Sequence, residues 1–325
     1  MELTLQNFTP AEQATFRLRA LYEQGGYRKY RASRFEEYAL YQEYQRFLPD
    51  PQVITFTDLD GKLRAIKPDV TLSIAKTAQP APGECKRFYY HEEVCRASRE
   101  SHTFQTIHQM GLECMGEVDE AAQAEVLRLA LASLVALDVP TVLEVSHMGF
   151  VTGLLDVLDV PATAHARLVE LLCAKNEHEL RKAALQAGAD EAGADALCGL
   201  LTLHGPFGAT LTAAKAAAIS PSQKAALAEL LALQNALGEA GRGLQLDLSM
   251  ADEAEYYNGI VFTGYAAGIP RAVLKGGQYD YLMQRFTPGA KAIGFAMYLD
   301  ELERLAAPLP PVQQQGGVKT WLNIA

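Results

Sequence analysis

Two stretches decide the fold: KRFYYHEEVCR at residues 86–96 and TIHQMGLECMG at residues 106–116. They lie in a block that mixes aromatic and β-branched runs with charges and are joined by a polar, partly basic loop, ASRESHT, so Lys86–Arg96 and Phe104–Met115 read as two strands of an antiparallel sheet. Side chains alternate across a strand, which puts Phe88, Tyr90, Glu92, Val94 and Arg96 on one side of the first. The same alternation puts Gln105, Ile107, Gln109, Gly111 and Glu113 together on the second. If the strands pair with these faces matched, a cation (Arg96), an amide (Gln109) and a carboxylate (Glu113) converge around Gly111, whose missing side chain leaves room for a small ligand. A zwitterionic amino acid needs such a set: a partner for its anion, an acceptor for its ammonium and a group that reads its side chain. The alternative is a solvated polar sheet face, which antiparallel sheets commonly show.

Outward from these strands, the chain divides into three textures. Thr9-Pro10 with Glu12 starts a helix that runs to about Gln24 and ends at Gly25-Gly26. VITFTD (53–58) and KLRAIKP (62–68) flank Asp60-Gly61 as a hairpin, and Asp69 opens a short helix, DVTLSIAKTA. A helix follows Asp119-Glu120, TVLEVSHMGF at 141–150 is a strand, and residues 151–242 form a helical insertion. Its clearest helix starts at Ser220-Pro221 and ends before Gly241. Short strands return with LQLDLSM at 244–250 and YYNGIVFTGY at 256–265. AVLKGGQYDYL and AIGFAMYLDELERL then read as small-residue strands each entering a helix, with Gly276-Gly277 and Gly294 permitting close backbone packing. Residues 1–150 and 243–307 thus make an α+β core, 151–242 an insertion, and 308–325 a Pro/Gln/Gly linker and tail.

Composition excludes several classes. With 325 residues, 49% of them hydrophobic and 21% charged, the chain can bury a large core and is neither disordered nor fibrous. Its net charge of −10 disfavours a continuous surface field for nucleic-acid phosphates, so any phosphate site must be local. The most apolar stretch, Leu129–Leu137, is far below the roughly 20 residues of a membrane span, and MELTLQNFTPAEQ lacks the order of a signal peptide. A cytoplasmic protein without membrane contact is expected. The five cysteines form no C-x-x-C or zinc spacing and read as reduced thiols, and the seven histidines form no ligand pattern. Neither metal nor cofactor is expected.

KRFYYHEEVCR with TIHQMGLECMG resembles the second signature motif of class II aminoacyl-tRNA synthetases, specifically of the histidyl-tRNA synthetase family. IKPDVTLSIAK resembles that family's Arg-Pro-Glu-x-Thr segment, EAEYYNGIVFTGY its Tyr-Tyr segment, and GGQYDYL with AIGFAMYLDEL its closing Gly-Gly and third motif. The resemblance spans roughly residues 5–305 and implies a class II synthetase-like antiparallel sheet with flanking helices. It implies a histidine pocket with Asp69, Thr71 and Gln109 at the α-amino group, Glu113 and Tyr257 at the imidazole, and Tyr279 nearby. Arg96 would face the ligand carboxylate or a phosphate.

Departures from the family carry the functional expectation. The histidine-specific arginine falls on Asp252 and the third-motif arginine on Glu301, so two cations that would stabilise an adenylation transition state become anions. Tyr298 stands where the family has a glycine beneath the nucleotide, Ser33 replaces a proline of the dimerisation motif, and no anticodon-binding domain is expected after the core. A synthetase-like core with its histidine side kept and its ATP side spoiled is similar to the regulatory-subunit family of ATP phosphoribosyltransferase, and the run IVFTGYAAGIPRAVLKGGQYD especially so. That resemblance implies a dimerising chain without catalysis of its own. It implies assembly with a short-form catalytic subunit, support of the first step of histidine biosynthesis, and feedback by histidine without tRNA binding. A truncated synthetase-like ligase that activates an amino acid without tRNA is the alternative, and a paralogue serving only as a structural partner is the third reading.

Overall fold

The computed structural model describes residues 8–48, 52–98, 101–251 and 256–305. Helix α1 (Pro10–Gln24) starts in a reciprocal cap: the Thr9 hydroxyl accepts from the Glu12 amide at 3.3 Å, and the Glu12 carboxylate accepts from the Thr9 amide at 2.8 Å. Strands β1 (Arg28–Lys29) and β2 (Phe35–Glu37) and helix α2 (Tyr38–Glu43) follow. The hairpin of β3 (Thr55–Thr57) and β4 (Leu63–Ile66) turns through Gly61, whose φ of 78° is open to glycine at little cost. Helix α3 (Thr71–Ala78) begins where the Asp69 carboxylate accepts from the Leu72 amide at 2.7 Å.

The two deciding stretches are β5 (Cys85–Ala97) and β6 (Phe104–Gly116), paired antiparallel along their whole length. Helix α4 (Glu120–Val135), capped by Asp119, leads to β7 (Thr141–His147). From there the chain forms α5 (Met148–Leu155), α6 (Ala162–Cys173), α7 (Glu177–Gln186), α8 (Glu191–Gly199), β8 (His204–Pro206), α9 (Phe207–Ala217) and α10 (Pro221–Leu237). Ser220 and Gln223 close a capping box at the start of α10, and the helix ends before Gly241. The helix stops at Gly238, with φ 54°, and residues 238–243 tighten into a 3-10 turn, so Gly241 lies beyond the cap. Strands β9 (Gln245–Asp247), β10 (Ile260–Ala266) and β11 (Leu274–Gln278), helix α11 (Asp280–Phe286), strand β12 (Lys291–Tyr298) and helix α12 (Leu299–Leu302) complete the order. Asp252 and the tail at 308–325 lie outside the described residues.

Among the described residues, nine strands form one sheet in the order β1-β5-β6-β12-β11-β10-β7-β9-β8, and β2-β4-β3 form a second. The large sheet is mixed, not wholly antiparallel: β1 runs parallel to β5, and β9 parallel to β7. Through β8 and β9 the helical segment is tied to the sheet edge, so the segment is not purely helical. The two sheet faces are unlike. On one, Leu18 and Tyr22 of α1 and Val126 and Leu127 of α4 pack on Leu112, Cys114 and Phe295 in a continuous apolar core. On the other, Val70, Leu72 and Ile74 pack with Tyr90, Val94, Tyr279 and Leu282 in a smaller cluster beside a cavity. Among the described residues, no helix is long and apolar enough to cross a membrane.

Candidate functional site

A cavity of about 920 Å³ opens between the second sheet face and the helical segment. The β5–β6 register pairs Arg96 with Gln105, Glu92 with Gln109, Tyr90 with Gly111 and Phe88 with Glu113, so the faces read from the sequence coincide. Asp69, Thr71, Arg96, Gln109 and Glu113 all line this one cavity, as do Tyr257 and Tyr279. The space at Gly111 is not free, however. A side chain there would meet the Phe295 carbonyl at 2.3 Å and the Tyr90 hydroxyl at 2.6 Å, so the glycine seats Tyr90 and leaves no room for a ligand.

Glu113 is the centre of the wall. It is 2% exposed, and Thr71 donates to one carboxylate oxygen at 2.6 Å while the Tyr279 hydroxyl donates to the other. Burial raises its pKa to about 8, opposed by these two donors and assisted by the nearby charge of Asp69. The carboxyl thus holds its proton near neutral pH. The seat is built by a glycine on the next strand: Glu113 pairs with Gly294, and a side chain at 294 would stand 1.8 Å from the Glu113 carboxylate. Gly277 does the same for Tyr257, whose ring would lie 2.6 Å from any β-carbon there. The small residues read as permitting close backbone packing therefore make space for site side chains.

Asp69 is raised in pKa by burial, against the pull of Arg96, whose guanidinium lies 3.6 Å from its carboxylate. Arg96 also donates to the Pro68 carbonyl at 2.8 Å, which fixes its direction at the rim. Gln109 carries the feature that most suggests a ligand. It is 2% exposed, and its carbonyl oxygen makes no hydrogen bond among the described residues. A buried acceptor left unmade costs about 1–3 kcal/mol, so the structure holds an open place for a donor.

Residues that sequence reasoning missed complete the lining. Tyr90 lines the cavity from the face that strand alternation assigns to it, and Tyr256 stacks edge-on to Tyr257 at 4.7 Å and beside Tyr279 at 5.5 Å. Arg46 and Lys275 add positive charge. His165 of α6 lines the far wall with an Nε2 that makes no hydrogen bond among the described residues. Nothing in the Ala-rich sequence of α6 marked it.

The positions expected to repel ATP separate. Tyr298 lines the cavity. Glu301 does not line it: α12 carries the residue away, and its carboxylate sits 2.8 Å from Arg304 and 3.8 Å from Arg271. Two arginines balance that charge, so the orientation that the motif position alone leaves open is away from the cavity. Among the described residues, no group of three or more His, Cys, Asp and Glu side chains is placed to hold a metal.

A mostly antiparallel sheet with a polar recess on one face, flanked by helices and carrying a largely helical insertion, defines a class II aminoacyl-tRNA synthetase-like core. The model of the histidyl-tRNA synthetase family matches residues 2–302. The ATP phosphoribosyltransferase regulatory subunit of Thermus thermophilus is 32% identical over 255 residues, covering 77% of this chain and 68% of that one. A solved ATP phosphoribosyltransferase regulatory subunit/histidyl-tRNA synthetase from Bacillus halodurans superposes with a TM-score of 0.80 at 25% identity, covering 90% of this chain and 78% of the other. The ATP phosphoribosyl transferase (HisG:HisZ) complex from Thermotoga maritima contains a chain of the same fold, with a TM-score of 0.69 at 21% identity, covering 90% and 98%. The chain belongs to the histidyl-tRNA synthetase family and, within it, to the ATP phosphoribosyltransferase regulatory subunits. It spans about two thirds of the length of the curated relatives it matches, 66% and 71% for two of them.

Proposed function

We propose that the chain is the non-catalytic regulatory subunit of ATP phosphoribosyltransferase, acting with a short-form catalytic subunit in the first step of histidine biosynthesis and binding histidine as a feedback ligand in the cavity. The observation that carries the ligand is the buried Gln109 carbonyl, without a hydrogen bond among the described residues, on the same cavity-facing side of β6 as the protonated Glu113. In this reading Gln109 and Asp69 accept from the α-ammonium, Arg96 faces the carboxylate, and Glu113 with Tyr257 reads the imidazole. Thr71 and Tyr279 hold Glu113 in place. Feedback then requires histidine to favour one assembly state over another, which couples this cavity to the partner's site by a free energy. The same reading expects a dimer in solution, no tRNA binding, and exclusion of ATP by Tyr298. The partner is inferred from the relatives' name, since a regulatory subunit implies a catalytic one.

One feature favours the ligase alternative. Arg96, Arg46 and Lys275 bring three cations to a cavity near the upper end of the roughly 300–1,000 Å³ range of small-molecule sites, enough for more than an amino acid. Calorimetric titration of the full chain with L-histidine, beside an ATP–pyrophosphate exchange assay, separates the two. Saturable histidine binding that weakens in Glu113→Ala, with no exchange, is the expected outcome. Exchange activity would establish the ligase, and no histidine binding would remove the ligand assignment.

A further inference from the structure

On the sheet face opposite the cavity, two cysteine sulfurs meet. The register pairs Cys85 with Gly116 and Arg87 with Cys114, which makes Cys85 and Cys114 diagonal neighbours across β5 and β6. Their Sγ atoms are 2.8 Å apart, and both residues are thiols. The right-handed twist of paired strands shortens one diagonal and brings such side chains together. A disulfide needs a sulfur separation of about 2.05 Å, so closure asks for a movement of about 0.8 Å.

The two thiols are unequal. Cys114 is fully buried, at 0% exposure, whereas Cys85 is half-buried and lines a groove of about 400 Å³ with Arg87, Asp119, Glu125 and Arg128. The hydrogen bond from Cys114 lowers the pKa of the Cys85 thiol, with help from the charge of Arg87 and against burial. The same bond, together with burial, raises Cys114. Since the thiolate is the nucleophile, the accessible sulfur is also the reactive one. Cys173 and Cys198 instead direct their thiols to backbone carbonyls of Ser249 and Glu177, at 3.8 Å each.

We propose that Cys85 and Cys114 form a reversible dithiol–disulfide site, oxidised by a low-molecular-weight disulfide that enters the groove. The Cys85 thiolate attacks one sulfur of the reagent, breaking its S–S bond, releasing one thiolate and leaving a mixed disulfide on Cys85. Cys114, deprotonated, then attacks the Cys85 sulfur, forming the Cys85–Cys114 bond and expelling the second thiolate. The two protons lost by the cysteines end on the two released thiols; the protein gives up two electrons and the reagent takes them. Glu113 precedes Cys114 in β6 with its side chain on the opposite face, so the new bond lies directly behind the cavity wall.

The test incubates the full chain with oxidised glutathione, blocks remaining thiols with iodoacetamide in denaturant and maps the peptides by mass spectrometry. The expected product is a Cys85–Cys114 linked peptide lighter by two hydrogens, without retained glutathione and restored by dithiothreitol, with Cys95, Cys173 and Cys198 alkylated. Cys114→Ser is expected to keep glutathione on Cys85, and Cys85→Ser to take up none at Cys114. Two results for the wild-type chain overturn the proposal: both cysteines alkylated throughout, or glutathione persisting on Cys85 while Cys114 is alkylated. The wild-type result stands even where a variant fails to fold.

Discussion

The two faces of strand β6 behave as different materials. Met110, Leu112 and Cys114 point into the apolar core under α1 and α4 and are almost wholly excluded from solvent. Gln109 and Glu113, on the other face, are just as buried but border a cavity, where one carbonyl has no hydrogen bond among the described residues and one carboxyl is kept protonated. Burial on the first face stabilises the fold, whereas on the second it costs stability, and the difference is a place prepared for a ligand. Stability and binding therefore respond to mutation in opposite ways on the two faces.

The largest expected effect is on the core side. Leu112→Ala removes a side chain at 0% exposure and should lower unfolding stability by about 2–5 kcal/mol in denaturant titrations. On the cavity side, Gly294→Ala places a methyl group against the Glu113 carboxylate and should weaken histidine binding by about 1–3 kcal/mol in calorimetry, the scale of losing one buried partner. Unchanged affinity would mean that Glu113 does not touch the ligand. Gln109→Met sharpens the comparison because its two readouts diverge: the ligand-free protein should gain up to about 1 kcal/mol in stability as the unpaired carbonyl disappears, while histidine binding weakens. A fall in both would make Gln109 an ordinary structural residue.

A pH series tests the protonated carboxyl. The folded pKa of Glu113, about 8, lies above its ordinary value of 4.5, so the folded state binds the proton more tightly than the unfolded one. The stability it contributes is fully present below about pH 4.5 and is lost as pH rises through about 8. The melting temperature of the wild type should accordingly decline more steeply than that of Glu113→Gln across this window. The smallest effect is expected at Glu301→Gln, where a partly exposed ion pair contributes about 0–1 kcal/mol and the side chain does not reach the cavity, leaving histidine affinity unchanged.

The strand pair was legible in the sequence because alternation leaves a direct trace: it put Gln109 with Glu113 on one side of β6 and set the side of Arg96 on β5, while the register that brings the two sides together came from the structure. The hairpin at Gly61 and the caps at Thr9 and Ser220 were legible because each requires particular residues at fixed spacings. Glycine was harder to read. Absence of a side chain looks the same whether the space goes to a ligand, to Tyr90 as at Gly111, or to a carboxylate as at Gly294. Glu301 shows the other limit: a motif position gives an order along the chain, whereas the turn from β12 into α12 decides where the carboxylate points. His165 was invisible because its meaning comes from a wall contributed by a distant helix.

The most direct measurement of the central claim is the rate of a short-form ATP phosphoribosyltransferase catalytic subunit with and without this chain, each with and without L-histidine. The account expects the rate to rise when the chain is added and to fall again with histidine, with that fall lessened in Glu113→Ala. A rate indifferent to the chain at every concentration would contradict it.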